Sequence, residues 1–278
     1  MVLVAAVCGV FSLPGAARAQ DRPLATQDPQ PVGAGRVLVE GGFEYGTDVL
    51  FPVSGLTGNL LHVPMIGLVV GVSSIADVEF SGGPYKRLAI ASRQPAPHAD
   101  LVPAGDTTAS VEDRVVSTKI RVLGESPSRP AVAVRFATRL PNGSESTGLA
   151  LDTMDFYASL LLAKSVRSLR VTANIGLGIL ADPEAAARQE DVLTYGLSFV
   201  QGVGGGFDVV AEANGRVNTG AHTPPLGTES MGACRVGGRY RLGDARLDGG
   251  LIVGLTPRDP SLGFTVGFTY VFKAFGVG

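Results

Sequence analysis

The chain reads as an all-β protein, an antiparallel transmembrane β-barrel of about twelve strands, and three observations predict it. Apolar and charged residues alternate with a period of two along segment after segment. The connections between those segments alternate between short turns and longer polar loops, and the last segment is an aromatic-rich strand of the kind that closes membrane barrels. Composition agrees: 38 of 278 residues are glycine and 17% are charged, so the chain is apolar without being uniformly so.

The alternation begins at residues 36–45, where Val37, Val39, Gly41, Phe43 and Tyr45 share one face and Arg36, Glu40 and Glu44 the other. The one uncharged run near helical spanning length, residues 59–76, is a poor helix, because Pro64, Gly67 and Gly71 interrupt a Val- and Ile-rich stretch. It reads as a strand, a turn at 72–74 and a second strand that carries Asp77 and Glu79. Further on, Val116, Thr118, Ile120 and Val122 oppose Ser117, Lys119 and Arg121, and Val132, Val134 and Phe136 oppose Arg135 and Arg139. Leu169, Val171, Ala173 and Ile175 oppose Arg170, Thr172 and Asn174, and Val209, Ala211 and Ala213 oppose Asp208, Glu212 and Asn214. Cys234, Val236 and Tyr240 oppose Arg235, Arg239 and Arg241, and Leu247, Leu251 and Val253 oppose Arg246 and Asp248. One face suits lipid and the other is too charged for a soluble core. Without a spanning helix, a closed barrel is the remaining way to satisfy backbone groups in a bilayer.

Short turns are expected at 72–74, 126–129, 165–168, 202–205 and 243–244, and longer loops at 46–58, 84–113, 141–152, 181–190, 217–229 and 257–261. Five turns and six loops connect twelve strands and bring both ends of the barrel to one rim. The loop at 84–113 is long enough to fold into the lumen or over its mouth.

Four units follow: a secretory signal at 1–19, a flexible leader at 20–35, the barrel at 36–273 and a short tail at 274–278. Residues 1–17 carry no charge, and Ala17 and Ala19 make a small-x-small cleavage pattern before Gln20. No Lys or Arg precedes this run, which leaves open whether Met1 is the true start. Export and the barrel together point to the bacterial outer membrane.

The final strand at 262–272 reads LGFTVGFTYVF, with Phe264, Val266, Phe268, Tyr270 and Phe272 on the lipid face. Thr265, Gly267, Tyr270 and Phe272 match a polar-x-Gly-x-x-aromatic-x-aromatic pattern, which resembles the C-terminal assembly signal of outer-membrane barrels. The expected partners are therefore outer-membrane lipid and the barrel-assembly machinery. Net charge is −2, which speaks against nucleic acid as a partner. No pattern in the sequence reports an oligomeric state.

A narrower resemblance rests on GTDVLFP at 46–52, LHVP at 61–64, KIRVLGE at 119–125, RLP at 139–141 and GLTPRDPS at 254–261. In these segments and their order the chain resembles the outer-membrane barrel family associated with meta-pathway phenol degradation, over about residues 36–273. That resemblance implies a transport barrel for small solutes, aromatic or apolar compounds among them.

Catalytic chemistry finds little support. His62, His98 and His222 are scattered, and no Cys or Asp cluster completes a metal set, so no metal, cofactor or enzyme activity is expected. Cys8 falls in the signal, which leaves Cys234 as a lone thiol that acts as a small apolar strand residue. The glycines at 202 and 204–206 lie between strands and read as a hairpin turn, not a phosphate loop.

Function then rests on the inward charges: Glu40, Glu44, Asp77, Glu79, Lys119, Arg121, Arg135, Arg139, Arg170, Asp208, Glu212, Arg235, Arg239, Arg246 and Asp248 are expected to line the lumen. They suit a charged constriction in a passive diffusion channel. They equally suit acid–base braces in a closed structural or surface-interaction barrel.

Overall fold

The structure is a computed structural model that describes residues 21–185 and 187–276. The signal expected at 1–19 and Cys8 lie outside the described residues. Fourteen strands follow one another: β1 (Arg36–Phe51), β2 (Leu56–Gly71), β3 (Ala76–Ser81), β4 (Lys86–Arg93), β5 (Thr107–Ser110), β6 (Arg114–Leu123), β7 (Ala131–Leu140), β8 (Asp155–Val166), β9 (Leu169–Ala181), β10 (Gln189–Gly204), β11 (Phe207–Asn218), β12 (Met231–Leu242), β13 (Ala245–Gly254) and β14 (Gly263–Lys273). Each pairs antiparallel with its neighbours, and β1 closes the sheet by pairing with both β2 and β14.

Two of the positions around the wall are shared. β3 pairs with the Gly67–Gly71 end of β2, and β4 continues in the same direction along the Leu56–His62 end. On the next position β5 pairs with β4 and β6 with β3. Each couple is one broken strand, so the barrel has twelve positions. The break sits opposite Pro64, which offers no N–H to the ladder. There Gly82 donates to the Ile66 carbonyl at 3.1 Å and Glu112 to that of Gly83 at 3.0 Å, so the wall is stitched across the gap.

The connections fall on two rims as the composition predicts. Short turns close the rim that carries Arg36 and Lys273; at one of them Gly205 and Gly206 have φ of 61° and 80°, the left-handed pair a two-residue hairpin needs. The other rim carries the longer connections and two short 3-10 turns, Ala99–Leu101 and Glu145–Thr147. Two expected loops need correction. Residues 46–58 are mostly strand: β1 and β2 run 16 residues each and leave only a tight turn at 52–55. The 84–113 stretch contains β4 and β5, which extend the wall outward. A tilted strand crosses a bilayer in about 10 residues, so β1, β2 and the equally long β10 project beyond the membrane. Turn-rich composition hid these extensions, because the aqueous part of a strand needs no apolar face.

The exterior is the apolar side. Phe136, Phe156, Ile175, Leu251, Phe264 and Phe268 are among the large apolar side chains left exposed. Phe264 packs edge-on against Phe43 and beside Tyr45, and Tyr270 stacks on Phe272, which builds an aromatic seam across the β1–β14 closure.

Candidate functional site: the lumen and its leader

The largest correction concerns the flexible leader expected at 20–35, of which the described residues are 21–35. They lie inside the barrel, fastened by side chains of the wall. Three prolines, Pro23, Pro29 and Pro31, lack a backbone donor, and the segment turns at 22–23 with the Leu24 N–H donating to the Asp21 carbonyl at 2.9 Å. Most of the other backbone donors are met. Glu212 on β11 accepts the N–H groups of Ala25 at 2.7 Å and Thr26 at 2.8 Å, and also the Arg235 guanidinium at 3.0 Å. Asn174 on β9 accepts from the Gln27 N–H at 2.7 Å and returns a bond to the Gln27 carbonyl at 2.9 Å. Asp77 on β3 accepts from the Val32 N–H at 3.1 Å. Arg170 grips Asp28 through two bonds, Nη2 to Oδ1 at 2.8 Å and Nε to Oδ2, and reaches Glu125 at 2.9 Å with Nη1.

The near end of the leader is held from β12 to β14. Arg239 donates to the carbonyls of Arg22, at 2.7 Å, and Asp21; Arg246 reaches the Arg22 carbonyl at 3.1 Å. The Arg22 guanidinium lies 3.5 Å from Asp248 and donates to Thr265 at 3.0 Å. Space for it comes from two glycines: a Cβ on Gly267 would stand 2.4 Å from Arg22 Nη2, and one on Gly42 2.6 Å from it. Thr265 and Gly267, read from sequence as part of an assembly signal, thus face inward and form a cradle, while Tyr270 and Phe272 face out.

The fifteen residues expected in the lumen fall into five groups by what they contact. Asp77, Arg121, Arg170, Glu212, Arg239, Arg246 and Asp248 contact the leader, Arg121 through Gln30 at 2.7 Å. Glu79, Lys119 and Arg135 form a brace: Lys119 Nζ lies 3.2 Å from Glu79 and 3.6 Å from Asp77, and Arg135 Nε bonds Glu79 at 2.8 Å. Glu40 accepts from Thr269, at 3.2 Å, and Asp208 lies 3.8 Å from Arg241 near the short-turn rim. Arg139 lies toward the long-loop end, bound to Asp113 at 2.5 Å and Asp155 at 2.6 Å. Glu44 lines open space in the upper lumen together with Arg235. The wall partners were legible as inward polar positions. Their counterparts in the leader, Asp21, Arg22 and Asp28, were not, since an aperiodic Pro-rich segment carries no signal of what it touches.

Enclosure in the lumen pushes the Asp21 carboxyl up to about 7; Lys119 opposes that rise, while Asp28 and Glu40 add to it.

Around the leader the lumen is a string of cavities. At the long-loop mouth a vestibule is walled by Leu50–Ser54, Gly148–Leu151, Arg216 and Met231. It shares Arg216 and Met231 with a second cavity, which shares Glu44 and Arg235 with a third that reaches the wall break at Met65–Gly67 and Gly82. Leu24 of the leader lines that third cavity on one side and, on the other, a fourth that ends at the Gly243–Asp244 turn. The leader is what stands between the two mouths.

Each of the three histidines faces a glutamate: His62 Glu112 at 3.1 Å, His98 Glu145 at 3.9 Å and His222 Glu190 at 2.9 Å. Among the described residues no group of three or more His, Cys, Asp or Glu is placed to hold a metal ion.

No family model and no curated protein matches the chain. Among solved structures it is similar to the COG4313 outer membrane channel from Pseudomonas putida F1, at 12% identity over 88% of this chain and 98% of that one, with a TM-score of 0.64. It is also similar to the NanC porin, at 10% identity over 87% of this chain and 100% of that one, with a TM-score of 0.50. At these identities the likeness is one of fold: an outer-membrane type of barrel, with the phenol-degradation resemblance not carried further.

Proposed function

We propose that the protein is a bacterial outer-membrane channel for small solutes that the leader closes at rest. The observation that carries this reading is the run of cavities from one mouth to the other, interrupted where Leu24 and its neighbours cross the lumen. A barrel with a purely structural role has no need of open space on both sides of a plug. Two channel or porin structures of the same fold support the reading. The aromatic or apolar compounds implied by the sequence resemblance fit the apolar vestibule better than they fit the polar inner half.

On this reading the inward charges do two jobs. Those of the inner half hold the leader, and Glu44 and Arg235, beside the path, set the preference of whatever passes. The test is single-channel current from the exported chain in planar bilayers, with reversal potentials in a salt gradient, beside swelling of liposomes in small neutral solutes. Rare or brief openings with solute uptake support a closed-at-rest channel. Silence and no swelling, from a barrel that keeps heat-modifiable migration and from which residues 21–32 have been deleted, favour the surface-interaction alternative instead.

A further inference from the structure

We infer that the outer vestibule is a binding site for a small monocarboxylate with an apolar body, held by Lys86 and Arg216. This builds on the channel reading, since the vestibule is the first cavity on the path from the long-loop rim, and it names the solute class that would be captured there.

The argument starts from charge. The vestibule lining contains three carboxylates, of which two are paired with a cation, Asp113 with Arg139 at 2.5 Å and Glu229 with Arg258 at 2.9 Å, while Glu145 lies 3.9 Å from His98. Two cations have no such partner. Lys86 is 8% exposed, and its ammonium donates to the Leu149 carbonyl at 2.7 Å; Arg216 donates to the carbonyls of Glu229 at 2.9 Å and Gly227 at 2.7 Å. Among the described residues no carboxylate comes within 4.0 Å of either. Lys86 bonds directly to a carbonyl only, with the Asp113 and Glu112 carboxylates acting on it from beyond 4.0 Å, so an anion in contact with the buried ammonium would complete its shell.

The rest of the lining sets what the anion is attached to. Phe51, Pro52, Val53, Leu149, Leu151 and Met231 present apolar surface around the two cations. The cavity is ≈ 200 Å³, and one of about 150 Å³ accommodates benzene, so a single ring or a short chain carrying one carboxylate fits. Inorganic anions would leave the apolar walls uncovered, and neutral hydrocarbons would leave Lys86 and Arg216 unmatched.

The test is calorimetric titration of the folded full chain in a neutral detergent with benzoate, with benzamide as the uncharged isostere and acetate as the charge without the ring. Benzoate is expected to bind at least tenfold more tightly than either. Lys86→Met and Arg216→Gln should each weaken benzoate about tenfold without changing benzamide, and Lys86→Arg should restore most of the loss. Because Lys86 also holds the Leu149 carbonyl, Arg216→Gln decides the matter if Lys86→Met fails to fold. Equal affinity for benzoate and benzamide, undiminished binding in Arg216→Gln, or no benzoate binding at millimolar concentration would each overturn the inference. Binding is read without current, so a chain that binds benzoate and never conducts sinks only the channel reading, and one that conducts without binding sinks only this one.

Discussion

The inner and outer halves of the lumen are built from the same strands by the same alternation, yet they have opposite character. In the inner half Asp77, Arg170, Glu212 and Arg239 each find a partner in the leader, so a charged wall is filled and neutralised. In the outer half the loops fold apolar residues over the mouth, and Lys86 and Arg216 hydrogen-bond to carbonyls and make no ion pair within 4.0 Å among the described residues. Inward polarity in this barrel therefore reports what occupies the lumen, not how open it is. A ring of arginines on the inner face of a barrel strand fits a plug as well as it fits a filter.

Removing the plug should break the comparison most severely. Deletion of residues 21–32 should raise single-channel conductance on the order of tenfold, while heat-modifiable migration is kept and benzoate binding in the outer half is unchanged. A folded deletion variant that conducts no better than the parent would show that the leader does not close the inner half.

Glu212→Ala is next. It strands the N–H groups of Ala25 and Thr26 and the Arg235 guanidinium, and breaking a buried charged network of this kind costs about 3 kcal/mol. The loss should appear in denaturant unfolding and as more frequent openings. Openings unchanged from the parent would mean that the leader is held without Glu212.

Gly267→Ala probes the cradle rather than the charge. Its Cβ would meet Arg22 Nη2 at 2.4 Å and the Gly41 carbonyl at 2.6 Å, so about 1–3 kcal/mol of overpacking is expected, together with displacement of Arg22 from Asp248. A thermal midpoint identical to that of the parent would remove the cradle from the account.

The prediction that rests on a single group is a pH dependence of the openings. With the leader seated, the Asp21 carboxyl is raised to about 7; released into water it returns toward the ordinary aspartate value of 3.8. The seated state therefore binds the proton more tightly and is favoured most below about pH 4. That advantage is lost as pH rises to 7. Openings should increase from pH 4 to pH 7, and Asp21→Asn should flatten the Asp21 part of the profile. A wild-type profile that is flat, or that rises toward acid, contradicts this seat.

How much of this was legible depends on the range of the interaction. Strand faces were readable because neighbours two apart share a face wherever the strand sits: Ile120 and Phe136 face out and Lys119 faces in, as their alternation predicts. The cradle of Gly42 and Gly267 was not readable, because its occupant lies more than two hundred residues away from Gly267. Nor was the continuation of the wall through β4 and β5, because Pro84, Pro95, Pro97, Pro103 and Gly105, which flank these short strands, read together as one loop.

By itself, the sequence determined the barrel, its twelve positions, its two unlike rims and its lipid-facing seam of aromatics, because each follows from local periodicity and turn chemistry that a bilayer enforces at every strand. Only the tertiary structure decided what fills the barrel. Residues 21–35 carry no periodicity, and their place is set by carboxylates, an amide, a hydroxyl and guanidinium groups contributed by seven strands of the wall, which converge on the leader only once the barrel has closed.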